Sequence, residues 1–235
     1  MIFSNGLLAD VTGDYDFFPE AASTFAESND WLFGAISWIG VAFFVPIAFC
    51  LFYFAVKYRK ANGEKAESNV AHNTPLEVAW SVFPSFFLVG MFVLGAKSYL
   101  DQRMVPEGAY EIGVKAYQWG WSFDYGAGVT NPELHLVVDE PFEMAMRSQD
   151  VIHSLYIPAF RAKKDIVPGR LNYMWFMPTK VSETVSEAEL AEGKALAKEL
   201  GVWDLRKIGF TQDGYRYYDL FCTEYCGTNH SQMNA

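Results

Sequence analysis

Residues 111–125 read EIGVKAYQWGWSFDY, and their alternation decides the fold of the chain's second half. Ile112, Val114 and Ala116 take every second place, with Glu111, Gly113 and Lys115 between them. That is the period of a strand with one buried face. The aromatic set then changes parity, to Tyr117, Trp119, Trp121, Phe123 and Tyr125. Such a phase change predicts a bulge, or a strand whose two halves face different neighbours. Further alternating runs follow. They are Leu134, Leu136 and Val138; Phe142, Met144 and Met146; Leu171, Tyr173, Trp175 and Met177; and Tyr215, Tyr217, Asp219 and Phe221. Asn-Pro, Pro-Gly and Asp-Gly pairs punctuate them, which predicts an antiparallel sandwich or barrel over residues 101–235.

One segment departs from that period. SEAELAEGKALAKELG, residues 186–201, opens with a capping box in Ser186 and Glu189 and stops at Gly201. Leu190, Gly193, Ala197 and Leu200 share one face at helical spacing. Gly193 weakens that helix by about 1 kcal/mol relative to alanine. The reading is a surface helix inserted into a loop of the sheet, spanning about residues 182–206.

Upstream the composition changes. Residues 31–56, WLFGAISWIGVAFFVPIAFCLFYFAV, contain no charge, and neither do residues 78–96, VAWSVFPSFFLVGMFVLGA. Both runs are long enough to cross a bilayer, which takes about 20 residues. Pro46 and Pro84 are tolerable there, and Trp31, Tyr53, Tyr58, Trp80 and Tyr99 stand near the ends as an interfacial belt would. The plainer alternative, two buried core helices, needs a larger domain around them. Residues 31–100 therefore read as a transmembrane hairpin. Its loop, residues 57–74, carries Lys57, Arg59, Lys60 and Lys65, whereas the first thirty residues hold six acids and no Lys or Arg. The positive-inside rule puts the loop in the cytoplasm and residues 1–30 and 101–235 outside. No cleavable signal peptide is visible, and MIFSNGLL reads as a tail or partner contact.

The formal net charge of −10 argues against nucleic acid and for a cationic partner. Three cysteines make no disulfide framework; Cys50, inside an apolar run, is expected to be a buried, inert thiol. The other two crowd into FCTEYCGTNHSQM, residues 221–233. A disulfide between Cys222 and Cys226 leaves His230 and Met233 unexplained. A thioredoxin-type pair needs two intervening residues rather than three, and zinc takes methionine poorly. Thiolate, imidazole and thioether form the donor set of electron-transfer copper. Two thiolates on one loop can bridge two metal ions, each of which then needs another donor. That counting asks for a second histidine. His72 falls in the cytoplasmic loop and His135 alternates outward between Leu134 and Leu136, which leaves His153 in SQDVIHSLYIPAF.

These residues carry a resemblance. HNTPLEVAW, YQWGWSFDY, DVIHSLYIPAFRAKKDIVPGR and the closing FCTEYCGTNHSQM, in this order behind a two-helix anchor, resemble subunit II of the haem–copper cytochrome c oxidases. The resemblance covers nearly the whole chain and implies a cupredoxin-like outer domain with a dinuclear CuA centre. It implies that Cys222 and Cys226 bridge the coppers, that His153 and His230 each cap one, and that Met233 and the Glu224 carbonyl are weak axial ligands. It further implies a magnesium site shared by the Glu224 side chain with subunit I, and support of the His153 loop by Asp150. Trp119 matches the residue by which an electron enters from a c-type cytochrome, and Trp121 lies beside it. Glu77 matches an acid at the mouth of a proton pathway in subunit I. The function so implied is electron entry, in a bacterial plasma membrane or a mitochondrial inner membrane, for oxygen reduction and proton pumping in subunit I alongside other oxidase subunits. Asp124, Glu133, Asp139, Glu140 and Asp219 are candidates to attract a basic cytochrome. The rivals are a membrane-anchored copper-delivery module and a structural subunit of a quinol oxidase. Two departures stand out: the spacing between His153 and Cys222 is longer than in the shortest members, and no C-x-x-C-H haem motif occurs. The donor is thus expected to be a separate protein, or the chain to continue.

Overall fold

The computed structural model describes residues 18–59, 71–182, 184, 186–199 and 218–235. The chain divides into two compact units, one containing Asn29–Asp101 and the other containing Tyr15–Ser28 and Gln102–Ala235.

The first unit holds two long helices, α1 (Ala26–Lys57, which starts three residues before it) and α2 (Thr74–Asp101). Their apolar windows have mean hydropathies of 2.4 and 1.9 and are 0% buried within the chain. A core helix would be covered; these present bare apolar surface, as lipid-facing helices do. Pro46 and Pro84 lie inside them. Phe43 meets Phe87 edge-on at 5.6 Å, and Ser98 Oγ donates to Asn29 Oδ1 at 3.1 Å. Cys50 is exposed on this surface, not buried as expected, because an apolar run in a membrane helix faces outward. Glu77 sits in the first turn of α2, where its Oε1 accepts the Asn73 N–H at 2.8 Å while Asn73 Oδ1 accepts the Leu76 N–H at 3.3 Å. The two side chains cap the helix reciprocally. Lys60, Lys65 and the segment MIFSNGLL lie outside the described residues.

The second unit is built from eight described strands: β1 (Tyr110–Tyr117), β2 (Gly120–Asp124), β3 (Thr130–Asn131), β4 (Phe142–Ser148), β5 (His153–Ile157), β6 (Ala162–Ile166), β7 (Asn172–Phe176) and β8 (Phe221–Cys222). They form a five-stranded sheet in the order β3-β2-β1-β4-β7 and a three-stranded sheet in the order β6-β5-β8. One buried cluster joins the two, with Val114, Phe123 and Met144 from the first and Leu155 and Ile166 from the second. Not every pairing is antiparallel as expected, since β1 and β4 run parallel. Parallel neighbours need a long crossover, and residues 118–141 supply it.

The parity change at Tyr117 proves to be neither a bulge nor a divided strand. Tyr117 pairs with Gly120 across a tight reversal, so Val114 faces Phe123 and Ala116 faces Trp121 on the same inner side. Leu134, Leu136 and Val138 alternate in burial, yet that stretch pairs with no strand. In β7 the inward set is Asn172, Met174 and Phe176 rather than the aromatic set, because Met174 opposes Met144 and Phe176 opposes Phe142. Likewise Leu220 and Cys222, not Asp219 and Phe221, point inward before the closing loop; Tyr215 and Tyr217 lie outside the described residues. The inserted helix α3 (Glu187–Glu199) carries its capping box, with Ser186 N–H donating to Glu189 Oε2 at 3.1 Å and Glu189 N–H to Ser186 Oγ at 3.3 Å. Gly201 falls outside the described residues.

A strap ahead of α1 completes the domain wall. Ala22 N–H donates to Ala159 O at 2.9 Å, Thr179 N–H to Ala22 O at 2.9 Å, and Ser23 Oγ to Phe160 O at 2.9 Å. Arg161 reaches back to the Pro19 carbonyl at 2.8 Å, its guanidinium over the Phe18 ring. Ala22 and Ser23 are buried as a result.

Leu155 is fully buried in β5, opposite Cys222 in β8. Leu155→Ala is expected to lower stability by about 2–5 kcal/mol in denaturant unfolding, against under about 0.5 kcal/mol for the exposed control Leu171→Ala.

Candidate metal centre

The site grows out of two adjacent strand ends. His153 opens β5, and Cys222 closes β8 two register positions along the same pairing. After Cys222 the backbone leaves the sheet and returns to it. The Cys222 N–H donates to Met233 O at 3.1 Å, and Leu220 and Ala235 exchange backbone hydrogen bonds at 3.1 and 3.0 Å. Thr223 N–H donates to Ser154 O at 3.1 Å, which ties the loop to β5. His230–Gln232 form a short 3-10 turn that brings the histidine and methionine inward.

The donor atoms converge. His153, Cys222 and Cys226 place their ligand atoms within 4.8 Å of one another, and all three are buried. The Cys222 and Cys226 sulfurs are 3.8 Å apart, far beyond the roughly 2.05 Å of a disulfide, and both thiols are free. His153 Nδ1 lies 3.8 Å from Cys222 Sγ on one side, and His230 Nδ1 lies 3.4 Å from Cys226 Sγ on the other. Met233 Sδ is 3.7 Å from Cys226 Sγ, and Glu224 O is 3.3 Å from Cys222 Sγ. The Glu224 side chain is exposed. Two thiols, two imidazoles, a thioether and a carbonyl around a pair of sulfurs fit soft metal ions, and copper best among the common ones. His135 and His72 stay out of this set; both are exposed, His135 on the unpaired stretch after β3 and His72 before α2.

Electrostatics prepare the site unequally. Burial pushes the Cys226 thiol up to about 11, and the neighbouring Cys222 thiol adds to the rise. A thiolate there needs a cation, since a metal ligand sulfur must be deprotonated. Burial also opposes the Asp150 carboxylate. Hydrogen bonds from His153, from the Gln118 N–H and from the Val151 N–H outweigh it and hold Asp150 below the usual carboxylate range. His153 Nε2 meets Asp150 Oδ1 at 2.7 Å; in the tautomer that carries its proton on Nε2, the ring donates to the carboxylate and leaves the Nδ1 lone pair facing the sulfurs. Among the described residues, the ring of His230 has no such carboxylate; the Tyr225 ring stands edge-on to it at 5.8 Å.

The indole of Trp119 is 37% exposed, and its Nε1 donates to Cys226 O at 3.2 Å. Trp121 is buried and meets His153 edge-on at 6.4 Å. Sequence reasoning passed over Gln118, whose Nε2 donates to the same carbonyl at 2.6 Å, and Gly227, with φ at +122°. A Cβ on Gly227 would stand 3.1 Å from Trp119 Cζ2 and 3.0 Å from Gln118 Nε2. The glycine directly after a ligand cysteine was the available signal for that close approach; Gln118 had none.

Two family models match the chain. One, described as cytochrome c oxidase subunit II, transmembrane domain, covers residues 12–97. The other, described as cytochrome c oxidase subunit II, periplasmic domain, covers residues 129–185 and so includes His153 but not the closing loop. Cytochrome c oxidase subunit 2 of Cereibacter sphaeroides is 27% identical over 199 residues, 68% of this chain and 65% of that one. The corresponding protein of Alkalihalophilus pseudofirmus is 33% identical over 150 residues, 60% of this chain and 44% of that one. The chain thus matches less than two thirds of the length of either relative. Among solved structures, the periplasmic domain of subunit II of cytochrome oxidase of Bradyrhizobium japonicum aligns with a TM-score of 0.38 at 22% identity, covering 56% of this chain and 83% of that one.

Gly227→Ala combines a strained φ with a collision and is expected to destabilise the domain by about 1–3 kcal/mol. Gly126 also has positive φ, at +84°, but open space around it, so Gly126→Ala isolates the backbone part. Denaturant unfolding should give the larger loss at Gly227; equal losses would mean that the approach of Trp119 costs nothing.

Proposed function

The chain belongs to the cytochrome c oxidase subunit II family, and on that premise we propose that β5 and the closing loop hold a dinuclear copper centre of the CuA type. The subunit would accept electrons from a c-type cytochrome and deliver them to haem in subunit I. The observation that carries this reading is the pair of unjoined, buried sulfurs at 3.8 Å with one imidazole approaching each. When bound, the two coppers supply reversible one-electron chemistry with the charge shared between them.

The remaining roles fall to side chains. Cys222 and Cys226, with His153 and His230, would hold the coppers, and Met233 and the Glu224 carbonyl would be further, weaker donors. Asp150 fixes the His153 tautomer and ring plane, which keeps that ligand from reorienting when charge changes. Trp119 offers a flat, partly exposed indole whose N–H already rests on the carbonyl of a ligand residue. A basic donor would be steered by the net charge of −10 and by exposed acids such as Asp139 and Glu140. Asp219 is exposed as well, though partial burial raises its carboxyl above the ordinary value.

The membrane assignment follows the same reading. Lys57 and Arg59 at the end of α1 favour a cytoplasmic or matrix position for the loop, with the β-domain on the periplasmic or outer face. On the same reading, the exposed Glu224 side chain would bind a magnesium ion shared with subunit I. Glu77 as a proton entrance would have to combine that task with capping α2. Oxygen reduction and proton pumping would belong to subunit I.

Metal analysis and electron paramagnetic resonance on the full chain test the reading. It expects two coppers per chain and a mixed-valence signal with one electron spread over both. A single copper would favour a copper-delivery module, and zinc would end the electron-transfer reading. Trp119→Phe keeps an aromatic ring at this position but removes the indole N–H and the second fused ring. Stopped-flow mixing with a reduced c-type cytochrome should show reduction slowed by roughly tenfold, about 1.4 kcal/mol of barrier, with copper content unchanged.

A further inference from the structure

Three segments distant in sequence meet at one residue that is not itself a ligand. Gln118 lies in the reversal between β1 and β2. Its side-chain amide donates from Nε2 to Cys226 O at 2.6 Å. Its backbone N–H donates to Asp150 Oδ2 at 2.7 Å, and the other oxygen of that carboxylate meets His153 Nε2 at 2.7 Å. We propose that Gln118 is a positioning residue of the metal centre, a single brace that sets the distance between the His153 imidazole and the Cys226 sulfur. This rests on the copper reading of the site.

The geometry gives the brace its stiffness. The reversal is clamped by the pairing of Tyr117 with Gly120, so Gln118 starts from a fixed backbone. The loop bearing Asp150 is pinned to the same place by the Gln149 N–H, which donates to Ala116 O at 2.9 Å. On the other side, the peptide after Cys226 leads into Gly227, a residue with wide backbone freedom. The plane of that peptide therefore depends on what its carbonyl accepts. Gln118 is the nearer of the two donors there, Trp119 Nε1 being at 3.2 Å. Rotation of this plane would swing the Cα–Cβ bond of Cys226 and with it the sulfur. Groups that orient ligands in this way typically change metal affinity on the order of 10–100-fold when lost.

Two substitutions separate hydrogen bonding from packing. Gln118→Glu keeps the shape but sets a carboxylate oxygen against the Cys226 carbonyl; Gln118→Leu keeps bulk and only removes the donor. Three readouts apply to the full chain in detergent: copper affinity by competition with a chelator of known strength, the paramagnetic hyperfine pattern, and the alkylation rate of Cys226 in the reduced, metal-free protein. Both variants should melt close to the wild type. Copper affinity should fall on the order of 10–100-fold, further in Gln118→Glu than in Gln118→Leu, with an altered hyperfine pattern. Alkylation of Cys226 should quicken roughly three- to tenfold, the loosening expected from one lost hydrogen bond. Wild-type affinity, hyperfine pattern and alkylation rate in Gln118→Glu would overturn the proposal. So would a lowered melting point with an unchanged hyperfine pattern, which would make the residue merely structural. If the wild type itself takes up no copper, the copper reading fails, and the alkylation comparison still decides the brace.

Discussion

The hydrogen bond from the Cys222 N–H to the Met233 carbonyl, at 3.1 Å, closes the last stretch of the protein on itself. Everything chemical about the molecule depends on that closure. Ordering a polar loop costs conformational entropy, and a loop carrying both thiols, an imidazole and a thioether would pay it again with each metal ion it bound if it hung free. Here the cost falls on folding. The neighbouring pairing of Leu220 with Ala235 and the bond from Thr223 to Ser154 extend the seam, so four side-chain donors come from one closed loop and a fifth from the strand beside it.

The two imidazoles are not equivalent. His153 is fully buried, pinned by a carboxylate and met edge-on by Trp121, whereas His230 is half-buried and leans on an exposed Tyr225. One side of the site is thus anchored to the protein core and the other looks outward. On the proposed reading, one rigid and one accessible flank would let an electron carrier keep its geometry while still meeting another molecule, and an acidic surface would attract a basic one at long range.

Much of this was legible in the letters. Uncharged runs long enough for a bilayer gave α1 and α2, the capping box gave α3, and the donor chemistry of the closing loop led by elimination to His153. What escaped depends on register, which is a relation between strands rather than a property of one. The aromatic set of β7 looked like a core face, but Met144 and Phe142 across the ladder draw Met174 and Phe176 inward instead. The parity change after Tyr117 was visible, yet a tight reversal and a bulge leave the same trace in sequence. The parallel pairing of β1 with β4 left no signal. Gln118 was unreadable for a similar reason: its partner is a main-chain carbonyl over a hundred residues away, and carbonyls are identical at every position.

The strap over residues 18–26 gives the molecule an unexpected modularity. Chain order would separate an anchor from a domain at the end of α2, but Ala22 and Ser23 are part of the β-domain's wall, upstream of both helices. A cut after α2 would free a sandwich with a missing course of masonry, its Ala159 and Phe160 carbonyls and Thr179 amide stripped of partners. In chain order the anchor is therefore an insertion within the domain's sequence, and the domain is completed only by residues on both sides of it.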